Sequence, residues 1–452
     1  MIVMKFGGTS VGSAERMQGV ADRVRERLAA KPVVVVSALG GVTDLLIRGA
    51  RFALHRDPAA EAAVRELVAR HTECIQKLAP AGDVRSRLTA HLTAVAEELK
   101  ILYTGVHYLE ELTPRSLDAI AAMGERLSVE IAAAGLAQAG LPARAIDARA
   151  VLVTDDGFGR ALPLMEDTLR NVKKTVVPVM EAGGVPVLGG FMGATRDGVT
   201  TTLGRGGSDW TASILGALLG AQEIQIWTDV DGMMTIDPRI VKTARVIPEV
   251  SFDEAAELAY FGAKVLHPAT IKPAVEKGIP VRILNSLNPT APGTLINRDA
   301  GGSEGEPRAI ASKKGISVVL ISQPRMLMAH GFVSRVFEVF ARHRTSVDLI
   351  ATSEVSISLT VDDAAALPAI QNDLATLGEV RVMHDMAIVS IVGRGFLRRS
   401  GLAGRIFQAL RAFNIVMISF GASDVNASFV VSQAEAEGAV RSLHQEFFGS
   451  GA

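Results

Sequence analysis

Over the first 295 residues, short apolar runs alternate with stretches whose apolar residues recur at helical spacing, and this alternation restricts the fold more than any other feature. Residues 33–37, 185–191, 223–228 and 280–284 read as strands. Strands separated by helices predict an α/β fold, a mainly parallel sheet covered by helices on both faces. Between Leu46 and Ala134 the pattern is almost wholly helical, broken near Pro58, at 80–82 and at Pro114, which predicts a helical insertion or lid over about 48–134.

The chain opens MIVMKFGGTSVGS. Residues 2–6 read as a strand, and Met17, Val20, Ala21, Val24 and Leu28 lie on one helix face, so Gly7 and Gly8 occupy a strand–loop–helix junction. Glycines there let backbone N–H groups approach an anion, and the next helix offers its positive end. A tight βα turn with an incidental lysine is the alternative. A second such junction is TTTLGRGGSDWTA, in which Arg205 can grip a carboxylate and Ser208 or Asp209 opens a helix. Ser37, Phe191, Thr228 and Asp229 follow predicted strands, where open α/β sheets bind their ligands. Each taken singly suits a turn or a cap.

At 452 residues the chain predicts two or three domains. The 47 basic and 48 acidic residues are mixed along it, with no basic footprint for nucleic acid. Cys74 is the only cysteine, which excludes an internal disulfide and a Cys-based zinc cluster and predicts a reducing, cytoplasmic setting. No leader pattern and no run of about 18 apolar residues occurs, so neither export nor a membrane partner is expected.

A polar, glycine-rich stretch at 296–307 reads as a linker closing a domain at 1–295. Beyond it the chain repeats at an offset of 70 residues: Gly331, Arg335, Phe337, Ser353, Val355, Ser358 and Val361 recur as Gly401, Arg405, Phe407, Ser423, Val425, Ser428 and Val431. Each copy reads as a small α+β sandwich, the first over 315–384, with strands at 315–322, 346–352, 355–361 and 378–384 and helices at 332–343 and 364–376. The second copy ends before its last strand. Ala309, Ile310 and Ala311 are predicted to supply it, so that the first copy is inserted within a second one made of 308–314 and 385–452.

Walker, HRD, DFG and HExxH motifs are absent, and no serine–histidine–acid order appears. His267, followed by Pro268, reads as a packed or capping residue. No base is needed if the nucleophile is a carboxylate, which is ionised at neutral pH. The remaining obstacle is its repulsion from a triphosphate, which cations and N–H donors would offset: Lys5, the glycine amides, Lys264 and a phosphate-bound Mg²⁺.

Taken together and in this order, KFGGTSVGS, VSALGGVTDLL, MGERLS, TTLGRGGSDWTA, TDVDG with the later DPR, and FGAKVLHPAT resemble the aspartate kinases of the amino-acid kinase superfamily. The resemblance implies ATP-dependent phosphorylation of the aspartate side chain to 4-phospho-aspartate, the entry to lysine, threonine and methionine synthesis. It assigns phosphoryl stabilisation to Lys5 and orientation of the site to Asp209. Arg205 would hold the substrate α-carboxylate and Glu125 its ammonium group, with Ser37, Thr43, Phe191 and Ser208 around them. Gly7, Gly8, Thr228, Asp229, Arg239 and Lys264 would hold ATP. Met234 stands where some members carry tyrosine.

The two C-terminal copies resemble ACT domains, which in this family bind an end-product amino acid and pair subunits into dimers or tetramers. By the pattern of lysine-responsive members, Met326, Phe332, Val333, Ser346, Val347, Asp348, Ser353 and Glu354 would surround the effector, lysine or threonine. Ala329 stands where such members often carry serine. The resemblance identifies no metal ligand, Mg²⁺ being held by phosphates and water. The alternatives are a sister kinase with another carboxylate substrate and a non-catalytic amino-acid sensor; a fusion to homoserine dehydrogenase is not expected, because no GxGxxG-bearing domain follows.

Overall fold

The computed structural model describes residues 1–261, 266–298, 300–301, 304–323 and 330–449. The chain divides into two compact units, Met1–Met233 with Val265–Ala300, and Met234–Lys264 with Gly301–Ala452.

In the first unit the sheet runs in the spatial order Ala143–Ile146, Val185–Gly189, Pro32–Val36, Ile2–Phe6, Glu223–Thr228, Val281–Asn285, Thr294–Asn297. All neighbours are parallel except the last pair. Val33, Val34, Val35 and Val36 are fully buried, as a central parallel strand covered on both faces requires. The strand order changes direction at Ile2–Phe6, which pairs with Pro32–Val36 on one side and Glu223–Thr228 on the other. Their carboxyl ends border the crevice where such sheets bind ligands.

Ser13 caps the first helix, Ala14–Glu26, by accepting from Arg16 N at 3.3 Å. Its Met17, Val20, Ala21 and Val24 face the core. The helical stretch forms Val42–Leu54, Ala59–Leu78, Asp83–Leu109, Pro114–Ala121 and Met123–Gln138. Leu67, Leu99 and Leu127 share one hydrophobic core with Phe6, Val36 and Trp227. These helices are therefore a packed layer of the unit.

In the second unit six antiparallel strands follow the order Ile350–Thr352, Ser356–Val361, Pro307–Ser322, Glu379–Gly393, Asn426–Ser432, Met417–Phe420. The two copies thus share one sheet through two long strands, rather than forming two separate sandwiches. Ala309, Ile310 and Ala311 pair with Val392, Ile391 and Ser390, whose other neighbours are Asn426, Ala427 and Ser428. The long pair shifts register around Lys314–Val318, where Gly315 has φ +79° and Asp385 φ +54°. Only Ile350–Thr352 of the stretch predicted at 346–352 is a strand.

One sequence expectation changes here: the boundary near 296 puts residues 234–264 in the domain 1–295, but the segment belongs to the second unit. Ile236 is buried with Ile310, Ala387 and Phe429, and Ile310 N donates to Thr235 O at 2.8 Å. Ile236, Ile240, Val241 and Ala244 of this segment find their partners in the repeat core, which sequence adjacency does not encode. Among the described residues no helix is long and apolar enough to cross a membrane.

Candidate active site

A cavity of about 600 Å³ opens in the first unit at the carboxyl ends of the strands. Lys5, Gly8, Ser37, Thr43, Glu125, Phe191, Arg205, Ser208 and Asp209 all border it. Lys5 lies on the first strand, one residue before its end, and its Nζ is 2.6 Å from Asp209 Oδ1. Asp209 stands in the first turn of Gly207–Leu219, beside N–H groups that helix geometry leaves without intrahelical acceptors. Each of the two side chains is 11% exposed. The pair joins the two glycine junctions.

Glu125 is buried in the first turn of Met123–Gln138, and its Oε1 accepts from Ala38 N at 3.1 Å. Its Oε2 is buried with no partner among the described residues. Burial pushes this carboxyl up to about 8, against a smaller opposing pull from the Ala38 N–H. Arg205 is exposed and has no ion-pair partner among the described residues. The cavity is therefore bordered by an unpartnered carboxyl oxygen, an unpaired guanidinium and a lysine held by Asp209, which suits a small zwitterion carrying a second anionic group.

Ser37 Oγ donates to Ser208 Oγ at 3.0 Å, tying the second strand to the helix start. Phe191 adopts φ +66°, a strained conformation for a side chain of its size. Its N–H donates to Thr211 Oγ1 at 3.2 Å, and its carbonyl accepts from Leu203 N at 2.8 Å. A Cβ on Gly207 would lie 2.9 Å from the Phe191 ring, so the glycine makes room for it.

The predicted phosphate loop needs one correction. Gly7 N–H donates to Trp227 O at 3.0 Å, so that amide is already used. The parallel register of Phe6 with Trp227 imposes this bond. Gly8 N–H has no partner among the described residues, and a Cβ there would meet Ala38 O at 2.8 Å. Thr228 and Asp229 do not border the cavity; they follow Trp227 at the neighbouring strand end. Arg239 belongs to the second unit, where Asp237 binds its guanidinium at 2.6 Å. Lys264 lies outside the described residues.

The predicted effector positions lie in the second unit. Phe332 is a core residue packed with Val336 and Ile357, and Val347 rests against the same cluster. Val333, Ser346, Ser353 and Glu354 are exposed, and Met326 and Ala329 lie outside the described residues. Asp348 accepts from Tyr260 Oη and stands 3.6 Å from Lys313 Nζ. Burial, and then the nearby Asp362, push its carboxyl up to about 6.

Two acidic residues bordering the cavity escape sequence reasoning, Asp44 and Asp118; Asp118, 2% exposed, accepts from Gly159 N, Thr202 N and Thr202 Oγ1 at 2.8, 2.9 and 2.6 Å. A carboxylate between Leu117 and Ile120 on a short apolar helix was the available signal.

Comparison with known proteins accords with this geometry. The amino acid kinase family model matches residues 1–285, and the ACT domain model matches 324–372 and 389–447. Aspartokinase 1, chloroplastic, of Arabidopsis thaliana is 41% identical over 99% of this chain and 80% of its own length. Lysine-sensitive aspartokinase 3 of Escherichia coli is 36% identical over 99% of each chain. The structure of E. coli aspartokinase III in complex with aspartate and ADP superposes with a TM-score of 0.86 at 35% identity, over 99% of this chain and 100% of that one. A family model over most of the chain and full-length relatives above 30% identity leave one assignment: the chain belongs to the aspartokinases of the amino acid kinase family.

Proposed function

We propose that this protein transfers the γ-phosphoryl group of ATP to the side-chain carboxylate of L-aspartate, giving 4-phospho-L-aspartate and ADP, and that lysine inhibits it through the C-terminal repeat. The observation that carries the reading is a cavity bordered by Glu125, whose buried Oε2 has no partner among the described residues, by Arg205, and by Lys5 paired with Asp209, groups that suit a ligand with one ammonium and two carboxylate groups. A carboxylate oxygen of aspartate attacks the γ-phosphorus, the bond to the β–γ bridging oxygen breaks, and that electron pair leaves on ADP. No proton is removed from the nucleophile.

In this reading Glu125 takes the ammonium group, Arg205 the α-carboxylate, and Ser37, Thr43, Phe191 and Ser208 shape the pocket. Lys5 offsets charge on the transferring group, and Asp209 holds Lys5 in place. Gly8, with Gly7 behind it, faces the phosphates, and Thr228, Asp229, Arg239 and Lys264 bind the rest of the nucleotide. Among the described residues no three His, Cys, Asp or Glu side chains converge as a metal cage. Mg²⁺ would be carried on the phosphates of ATP, where it would neutralise charge.

Met326, Phe332, Val333, Ser346, Val347, Asp348, Ser353 and Glu354 receive the effector, and feedback requires that it bind two kinase conformations unequally. Self-association through the repeat and a cytoplasmic setting complete the reading, the latter supported by a single buried cysteine.

The test is to incubate the protein with Mg-ATP, L-aspartate and hydroxylamine, which traps an acyl phosphate as a coloured hydroxamate, with and without lysine or threonine. Aspartate-dependent colour that lysine suppresses is the expected result. Colour suppressed only by threonine would reassign the effector, and no colour from folded protein would overturn the kinase reading.

A further inference from the structure

We propose that Asp118 is a positioning residue that fixes the Arg205 loop relative to Glu125 and thereby determines affinity for the amino-acid head group; this rests on the reading of Arg205 and Glu125 given above. Asp118 is buried, yet among the described residues no lysine or arginine pairs with it. Its charge is met by three donors instead. Two come from Thr202, through N at 2.9 Å and Oγ1 at 2.6 Å, and one from Gly159 N at 2.8 Å.

Those donors sit on the two segments that frame Arg205. Thr202 ends the strand Thr200–Thr202, three residues before Arg205. Gly159 abuts Gly204, where φ is +79° and a Cβ would lie 2.9 Å from Gly159 O. Ala161 N donates to Thr202 O at 2.9 Å and closes the frame. Arg205 itself has no side-chain partner among the described residues, so its placement depends on these backbone anchors.

Asp118 and Glu125 lie on consecutive helices, Pro114–Ala121 and Met123–Gln138, separated only by Ala122. One short segment thus carries the ammonium acceptor and, through Asp118, the anchor of the carboxylate grip. A fixed spacing between the two would suit an α-amino acid, whose ammonium and carboxylate are themselves rigidly spaced. Preorganisation of this kind acts on binding of one substrate and leaves the nucleotide untouched.

The experiment uses the full chain with three variants: Asp118→Asn, Thr202→Val and Thr202→Ser. The first turns an amide NH₂ toward an N–H donor, whereas Thr202→Val removes only the hydroxyl bond at nearly constant shape and Thr202→Ser keeps it. KM and kcat are measured for aspartate and for ATP, and aspartate binding is followed by calorimetry. The expected result is an aspartate KM and Kd raised about tenfold in Asp118→Asn and about threefold in Thr202→Val, near wild type in Thr202→Ser, with the ATP KM changed less than about twofold throughout. Parallel changes in both KM values, or aspartate binding unaltered by Thr202→Val, would overturn the proposal even if Asp118→Asn failed to fold. Wild-type protein that binds no aspartate would overturn the underlying reading and the proposal with it.

Discussion

Lys5 Nζ and Asp209 Oδ1 lie 2.6 Å apart, and through them the end of the first strand meets the first turn of the helix Gly207–Leu219. The contact links two glycine junctions that are far apart in the chain. Both side chains are almost wholly buried, so each is the other's principal charge partner.

Lys5→Met should therefore lower kcat by about a thousandfold or more, since a cation aimed at a transferring phosphoryl group acts chiefly in the transition state. Aspartate binding should survive within a few-fold. The same change strands Asp209 as a buried charge, at a cost of about 3 kcal/mol. Lys5→Met/Asp209→Asn should consequently melt at a higher temperature than Lys5→Met while remaining inactive; equal melting would mean that the pair is not coupled.

Glu125, with its carboxyl pushed up to about 8 by burial, is mainly protonated at neutral pH until an ammonium group arrives. Aspartate KM should fall as pH rises from 6 to 8 and level off above, by up to about tenfold per unit. Glu125→Gln should raise KM and flatten the profile. The sign for stability is opposite: a carboxyl raised above its ordinary 4.5 contributes stability that is complete below that value and lost as pH rises through about 8. Thermal melts of the two proteins across that window measure it.

Gly190→Ala should damage the site although it carries no chemical group. Its Cβ would lie 2.6 Å from Ser208 Cβ and 2.7 Å from Ser208 Cα, so the start of the Asp209 helix must shift. A loss of about 1–3 kcal/mol in stability and a larger loss in kcat/KM are expected. Gly19→Ala, in an open position of the first helix, is the control and should be neutral or stabilising by up to about 1 kcal/mol.

His71 is fully buried; its Nδ1–H donates to Leu67 O at 2.8 Å, and Nε2 has no partner among the described residues. Burial lowers its pKa from 6.5 to about 4. The folded chain binds the proton less readily than the unfolded one, so this stabilisation is complete above 6.5 and is lost as pH falls toward about 4. At pH 5 the loss should be about 2 kcal/mol. His71→Leu should melt with a shallower acid dependence than wild type.

The parts of the site that could be read in advance share one property: their signal is local. A short apolar run at residues 2–6, paired glycines and a helical period afterwards specify a strand–loop–helix junction within about twenty residues. The duplication at an offset of 70 and the pairing partner of Ala309–Ala311 were likewise legible, because a repeated pattern shows which strand its second copy lacks. The role of Asp118 was not legible, although its place between Leu117 and Ile120 was, since its donors come from Gly159 and Thr202 and no local spacing announces them.

The order of residues along the chain suffices for the strand-and-helix alternation, for the glycine junctions and for Lys5, Arg205 and Asp209 as candidate groups, whereas Glu125 enters only through the family resemblance. The states of those groups arise only in the folded chain. Gly7 loses its free amide to Trp227 through strand pairing, residues 234–264 join the repeat core through Ile236, and Glu125 holds its proton because burial removes water from one oxygen. Hydrogen-bond partners and desolvation depend on what lies nearby in space, whereas periodicity and turn chemistry depend on what lies nearby in the chain.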